Sequence, residues 1–452
     1  MKMDQKKSII VLLFFLACNG LVAQEKWTLE ECVSYALDHN LGLKDFEYNE
    51  ASNKESYRQS IRDLLPTVGG LTDYFLRFGR QEDPNTGIFV SSDFFENNYS
   101  LNSSIDLFRG FQKMNAIKAS KFLYSATKEE VLQQKYLLAF RVMSAFYDIK
   151  FFEGLLINSK EQQEISQANY DLVNKQIDLG LMAGADLYEA ESLLLADQLI
   201  VIQSENSLKA ARLSLIQEMN LKGATTINIQ PTLDELDSME NELMELRQDS
   251  IFNKAMGFIP IIKAQEWRTK AAKKDLAVAR GNLYPSLSLS AGYRTRYLET
   301  SVDEDTGEIL PFNVQATDNA TRFIGVSLNI PISEGWSRRS AVKQQKIALQ
   351  RAANNLEIQE QVLYQTIQQL IQEHNALQAE YEQGMQRMES QDLAFTIAQK
   401  RYEKGLINAL ELFTAKNLFA SAQNANLQVR LRLEVNKSTL DFYRGLPVFN
   451  IN

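Results

Sequence analysis

Asn98-Tyr99-Ser100-Leu101-Asn102-Ser103-Ser104-Ile105-Asp106-Leu107-Phe108-Arg109-Gly110 ends one kind of structure and begins another. Tyr99, Leu101, Ile105 and Leu107 alternate with Asn98, Ser100, Asn102, Ser104 and Asp106, the period-two pattern of a strand with unlike faces. After Gly110 the alternation stops and proline disappears: all eight prolines avoid residues 85–230 and 332–446. Proline inside a helix removes a hydrogen bond and clashes with the preceding turn, so these stretches can hold very long helices. Glycine is nearly excluded too, with Gly154 alone between Phe111 and Leu179 and Gly384 alone between Trp336 and Lys404.

The strand-to-helix junction occurs twice. Ile105 to Gly110 matches Ile330-Pro331-Ile332-Ser333-Glu334-Gly335 at an offset of 225, as do Gly180-Leu181-Met182 and Gly405-Leu406-Ile407, and Asp186-Leu187-Tyr188 and Glu411-Leu412-Phe413. Upstream, Asp63-Leu64-Leu65-Pro66-Thr67-Val68 matches Asn282-Leu283-Tyr284-Pro285-Ser286-Leu287 at an offset of 219, with Ala36-Leu37 against Ala255-Met256. One length difference of six residues between Tyr74/Tyr293 and Ile105/Ile330 explains both offsets. That interval holds the polar segments Gln81–Asn97 and Glu299–Ala320, which read as surface loops. The chain is therefore a duplication: a first repeat over 24–223, a belt segment over 224–250 with Pro231 and many acidic residues, and a second repeat over 251–452.

Each repeat predicts two strands and a helical hairpin. The strands are expected at about 67–80 and 98–108 in the first repeat, and at about 286–297 and 322–332 in the second. Leu287, Leu289, Ala291, Tyr293 and Tyr297 oppose Ser286, Ser288, Ser290, Arg294 and Arg296, while Ile324, Val326, Leu328 and Ile330 oppose Ser327 and Asn329. The first strand is blurred, with Val68, Tyr74, Leu76 and Phe78 on one face and Leu71 and Phe75 on the other. Segments of about ten residues cross a bilayer when tilted. Tyr74, Phe78, Tyr99, Tyr293 and Tyr297 suit an interfacial girdle, and the polar faces carry no second core. Four strands cannot close a barrel in lipid, so the reading requires oligomers, with eight strands in a dimer or twelve in a trimer.

The hairpins are expected over 110–221 and 335–445. Seventy residues separate Gly110 from Gly180 and Gly335 from Gly405, about 105 Å as continuous helix. Leu349, Leu356, Leu363, Leu370 and Leu377 recur every seven, a coiled-coil period. Each long helix ends at a glycine, which accepts the left-handed conformation of a helix stop. Helices half as long return over Asp186–Asn220 and Leu410–Arg444, and Leu41–Leu65 and the segment before Pro285 complete the layer. Thr28 and Glu31 form a capping box at the start of the first helix.

Lys2, Lys6 and Lys7 before the apolar run Ser8–Ala17, then Leu21-Val22-Ala23, read as an export signal over 1–23. Cys18 lies within it behind Phe15-Leu16-Ala17, a poor lipobox. Removal of the signal leaves Cys32 alone, which excludes an intramolecular disulfide and a cysteine-based metal site. His39 and His374 lack a Cys, Asp or Ser constellation, so no catalytic residue, cofactor site or metal site is expected. A net charge of −9 lacks the basic footprint of a nucleic-acid binder.

Strand hairpins alternating with very long helical hairpins, twice over and behind an export signal, resemble the outer-membrane efflux protein family named for TolC. The matching residues are Leu29-Glu30-Glu31-Cys32-Val33 with Ala36-Leu37 and Asn40, Pro66 and Pro285 before the strands, Gly110 and Gly335, and Arg401-Tyr402-Glu403-Lys404-Gly405 with Glu411-Leu412. The resemblance implies a mostly α protein with membrane β: a homotrimer with a twelve-stranded barrel in outer-membrane lipid, four strands per chain, continued by a long periplasmic α-helical coiled-coil barrel. It implies a passive exit duct for efflux or type I secretion, partnered by a periplasmic adaptor and an inner-membrane pump. It also implies a mouth narrowed by the second hairpin, with acidic residues six and nine positions after its glycine. Those positions are Glu411 and Thr414, so one acidic ring is kept and a neutral hydroxyl replaces the other. Tyr402 falls among the mouth-closing contacts, but the basic residue expected two after the glycine is Ile407. The hairpin tips lie farthest from the strands and repeat in both copies, so Gly180, Leu181, Asp186, Leu187, Gly405, Leu406 and Leu412 are the expected adaptor-docking residues. Two alternatives share the coiled-coil signal: a structural protein without a channel, and a periplasmic adaptor. Neither explains two hairpins that each follow a strand pair.

Overall fold

In order along the chain, α1 (Leu29–His39) and α2 (Leu41–Arg62) precede β1 (Thr67–Arg77), β2 (Arg80–Glu82), β3 (Phe89–Ser91) and β4 (Phe94–Arg109). The hairpin α3 (Gln112–Asp178) and α4 (Gly184–Met219) follows, then α5 (Gln248–Met256), α6 (Pro260–Gly281), β5 (Ser286–Leu298), α7 (Phe312–Asp318), β6 (Thr321–Asn329) and the hairpin α8 (Ser337–Glu403) and α9 (Ala409–Tyr443). This computed structural model describes residues 26–82, 87–91, 93–181, 183–230, 248–303 and 305–451. The expected export signal with Cys18, and residues 231–247 of the expected belt, lie outside the described residues.

The chain separates into two compact units, and each draws on both repeats. One, built from Asn49–Glu129 and Lys263–Ile358, contains the strands. β1, β4, β5 and β6 form an antiparallel sheet in the order β1-β4-β5-β6, and β2 and β3 form a short pair of their own. Within the described residues β1 and β6 each pair on one side only. The register puts Val68 beside Ser103, Ala291 and Ile324, and Ile105 beside Leu289 and Val326, so one face is mainly apolar, with Thr72, Asn97, Ser103, Thr295 and Arg322 as its polar members. That face is bare in the protomer, with Ile324 at 81% exposure and Val68 at 66%. A connected row of rings, Tyr74, Phe95, Tyr297, Phe312 and Tyr99, crosses it toward the loop end. The opposite face carries Asp73, Arg77, Glu96, Asn98, Arg294 and Arg296, with an Arg77–Glu96 ion pair at 2.6 Å.

Three strand boundaries differ from expectation for local reasons. β1 stops at Arg77 because Gly79 turns the chain with φ +94°. β6 stops at Asn329, before Pro331, which has no N–H to give a ladder. β4 begins at Phe94, inside the segment read as a loop, because backbone pairing with Arg77 does not require side-chain alternation. The second expected loop likewise contains α7, anchored by Gln315, whose side chain exchanges hydrogen bonds with the Leu298 backbone at 2.9 Å. A bulge at Leu107 shifts the register between Asp106 and Phe108.

The junctions repeat in detail. Gly110 and Phe111 (φ +57° and +58°) have Gly335 and Trp336 (φ +55° and +65°) as their counterparts, two successive left-handed residues that turn strand into helix. In the first copy Lys113 donates to the Asp63 carbonyl at 2.6 Å, and in the second Arg338 donates to the Asn282 carbonyl. Each bond ties the start of a long helix to the chain just ahead of a strand.

The other unit, among the described residues, draws on 26–48, 130–230, 248–262 and 359–451 and is mainly helical. α1 starts at the expected capping box, Glu31 N–H to Thr28 Oγ1 at 3.2 Å and Thr28 N–H to Glu31 Oε2 at 2.8 Å. It buries Cys32, Val33 and Ala36 against Leu138, Val142, Phe146, Leu215 and Met219. Burial pushes the Cys32 thiol up to about 12, with Glu31 and Glu30 adding to it. On α4 the buried residues Ala190, Leu194, Asp197, Val201, Ser204, Leu208, Ala211 and Leu215 alternate steps of four and three, a heptad seam. On α8 the predicted leucine seam faces inward, with Leu363 and Leu377 buried.

Candidate functional site

The hairpin ends are built by the same local chemistry twice. At the end of α3, Gly180 N–H bonds Ile177 O and Leu181 N–H bonds Gln176 O, both at 2.8 Å; at the end of α8, Gly405 N–H bonds Tyr402 O at 2.8 Å and Leu406 N–H bonds Arg401 O at 2.9 Å. This double closure satisfies the last helical carbonyls and needs a left-handed residue, which both glycines supply at φ +75° and +70°. Three residues on, the return helices are capped. Asp186 accepts from Ala183 N–H at 3.2 Å, whereas Asn408 accepts from Glu411 N–H at 2.8 Å. An acid in the first turn of each return helix also suits the positive end of the helix dipole.

Leu181 (72%), Tyr188 (73%), Leu406 (64%) and Leu410 (57%) stand out from the two ends as exposed apolar side chains. Asp186 and Leu187 are half-buried. Leu412 is buried, so it holds helices together and is withdrawn from any docking surface, contrary to its place among the expected contacts. Met182 lies outside the described residues.

Tyr402 reaches the first hairpin. Burial raises its phenol above the usual range, and the carboxylates of Asp186 and Glu189 on α4 add to the effect while Asn169 opposes it. The Asn169 side chain lies beside the buried Tyr402 hydroxyl. Glu411 and Thr414 occupy another face of α9. Both are exposed, while Leu412 and Lys416 on the packed side are buried. The Thr414 hydroxyl donates to Leu410 O at 2.8 Å. The structure thus half-buries Tyr402 where the carboxylates of Asp186 and Glu189 act on its phenol, and sets Glu411 and Thr414 side by side on the open face of the second hairpin.

Sequence reading missed a polar cluster behind that face. Lys416 of α9 contacts Asp197 of α4, and donates to Ser166 Oγ of α3 at 2.6 Å and to Gln162 O at 3.5 Å. Ser166 donates to Asp197 Oδ2 at 2.5 Å. The available signal was a charged residue at an inward heptad position, visible for Asp197 once the seam from Ala190 to Leu215 is traced. His39 stacks on Tyr35 and bonds its carbonyl at 3.0 Å. His374 is half-buried, and its imidazole is lowered chiefly by that burial. No group of three or more metal-ligating side chains occurs among the described residues.

A family model for outer membrane efflux proteins matches residues 32–221 and 254–446. Protein CyaE of Bordetella pertussis is 24% identical over 326 residues, covering 69% of this chain and 64% of its own length. The alignment therefore leaves about a third of CyaE unmatched. Cation efflux system protein CusC of Escherichia coli O157:H7 is 22% identical over 413 residues, 90% of this chain and 84% of its own. A crystal structure of CusC superposes with a TM-score of 0.77 at 19% identity, over 94% of this chain and 96% of that one. The fold is that of the TolC-like outer-membrane channels.

Proposed function

Because the chain belongs to the outer membrane efflux protein family, we propose that three copies form the passive exit duct of a tripartite efflux or type I secretion system, seated in the outer membrane and extended through the periplasm. The observation that carries this is the open sheet. It exposes a mainly apolar face on one side and a charged face on the other, and among the described residues β1 and β6 each pair on one side only. Hydrocarbon tolerates no unpaired backbone groups, so a membrane sheet must close on itself. Pairing β6 of one copy with β1 of the next closes three copies into twelve strands, the apolar face toward lipid and the arginine-bearing face toward the lumen.

In this reading the chain is two tandem repeats, 24–223 and 251–452, joined by a belt at 224–250 and preceded by a cleaved signal at 1–23. The long hairpins make the periplasmic tunnel. The exposed apolar residues of the two ends, Leu181 and Leu406, dock a periplasmic adaptor that links the duct to an inner-membrane pump, with Gly180 and Gly405 setting the turns. Glu411 with Thr414 lines the narrow mouth, and the half-buried Tyr402 packs the end of the second hairpin against the first. The protein has no catalytic role; its contribution is a path and a charge filter. Native mass measurement of the detergent-solubilised protein tests the architecture. A trimer is expected, and a monomer or dimer at working concentrations would refute it.

A further inference from the structure

Lys416 is buried in a place where a charged residue has to be matched. Its side chain is 2% exposed and that of Asp197 is 3% exposed. By contrast, the inter-helix pairs Arg212–Glu153 (25% and 31%) and Arg432–Glu373 (54% and 45%) remain open to water. The cluster joins three helices from both repeats: Gln162 and Ser166 on α3, Asp197 on α4 and Lys416 on α9. It is not inherited from the duplication, since the residues 225 away from Lys416 and Asp197 are Glu191 and Ala422.

A buried ion pair adds little net stability compared with an apolar pair, but it penalises every arrangement that separates its partners. Burial lowers the Lys416 amine, and the hydrogen bond and charge of Asp197 oppose that shift. The ammonium spends its protons on Asp197, Ser166 and the Gln162 carbonyl, so turning or sliding α9 strands a charge in a dry interface. Lys416 also lies four residues from Leu412, on the same buried face, whereas Glu411 and Thr414 point the other way. Whatever fixes Lys416 fixes the direction of Glu411 and Thr414.

We propose that Lys416 is a positioning residue, joined with Asp197 and Ser166 in a buried staple that sets the rotation of α9 on the first hairpin and so holds Glu411 and Thr414 toward the pore. The pore direction rests on the duct reading above; the staple itself does not. The test uses full-length protein purified in detergent, with hydrogen exchange read on peptides covering 409–420 and cation preference read in planar bilayers. Lys416→Met leaves Asp197 buried and unmatched. Exchange over 409–420 is expected to rise at least about tenfold, with cation preference moving toward that of Glu411→Gln. The exchanged pair, Lys416→Asp with Asp197→Lys, should return both readouts toward wild type. Should Lys416→Met fail to assemble, Ser166→Ala removes one bridge and should raise exchange in the same peptides by about threefold. Unchanged exchange over 409–420 in an assembled Lys416→Met or Ser166→Ala variant would overturn the staple. Raised exchange with wild-type selectivity would overturn the positioning role. Wild-type protein that conducts no ions would sink the duct reading instead, leaving exchange to decide the staple.

Discussion

The two strand-to-helix junctions offer a matched pair of substitutions. Gly110 and Gly335 occupy equivalent places in the repeat with nearly the same φ, +57° and +55°. An alanine at either must hold a left-handed conformation, at a cost of about 1–2 kcal/mol. Their surroundings differ. A Cβ on Gly335 meets nothing within 4 Å, whereas one on Gly110 would lie 2.2 Å from the carbonyl oxygen of Gly281 and 2.9 Å from its carbon. Ordinary contact begins near 3.4 Å, so α6 must retreat by about 1 Å from a backbone that cannot rotate away. Overpacking of this kind costs about 1–3 kcal/mol. Gly335→Ala should therefore cost about 1–2 kcal/mol and Gly110→Ala about 2–5 kcal/mol. Detergent-purified protein, heated in steps and followed by its loss of gel mobility as an assembled species, reports both in parallel. Equal losses would show that the backbone conformation alone matters, and that the Gly110–Gly281 approach contributes nothing.

At the hairpin ends, Leu181→Asp combined with Leu406→Asp should abolish export and adaptor crosslinking while leaving assembly unchanged; export that persists would remove the tips from the docking surface. Glu411→Gln should reduce cation preference and block by trivalent cations in planar bilayers without changing assembly, and unchanged selectivity would make Glu411 a solvated helix-start carboxylate. Cys32 should resist alkylation at pH 8 in the folded protein and react on unfolding. Its folded value of about 12 lies above its ordinary 9.0, so the stabilisation it carries is complete below pH 9 and lost as pH rises toward 12, at about 1.4 kcal/mol per pH unit. Denaturant unfolding of a Cys32→Ala variant should lose that part of the alkaline slope; an unchanged slope would refute the assignment.

Much of the molecule follows from local rules that a linear sequence displays. Proline exclusion, the glycines at 110, 180, 335 and 405, and period-two alternation placed both helical hairpins and the four principal strands, because each reports a backbone preference acting over a few residues. The repeat offsets extended that reading, since α2 and α6 are both 22 residues long and start 219 apart. Leu412 and Lys416 show where such rules stop. They lie one turn apart on the buried face of α9, yet which partner each meets depends on how α9 turns against α3 and α4. An apolar Leu412 read as a docking contact is buried, and a lysine that would be assigned to solvent is matched by an aspartate 219 residues away. The edges of β4 and β6 were likewise decided by pairing, through the Arg77 ladder and the missing N–H of Pro331. Backbone preference is encoded residue by residue and survives without context, whereas the burial of a charge is set by the free energy of the whole interface, which exists only once the helices have met.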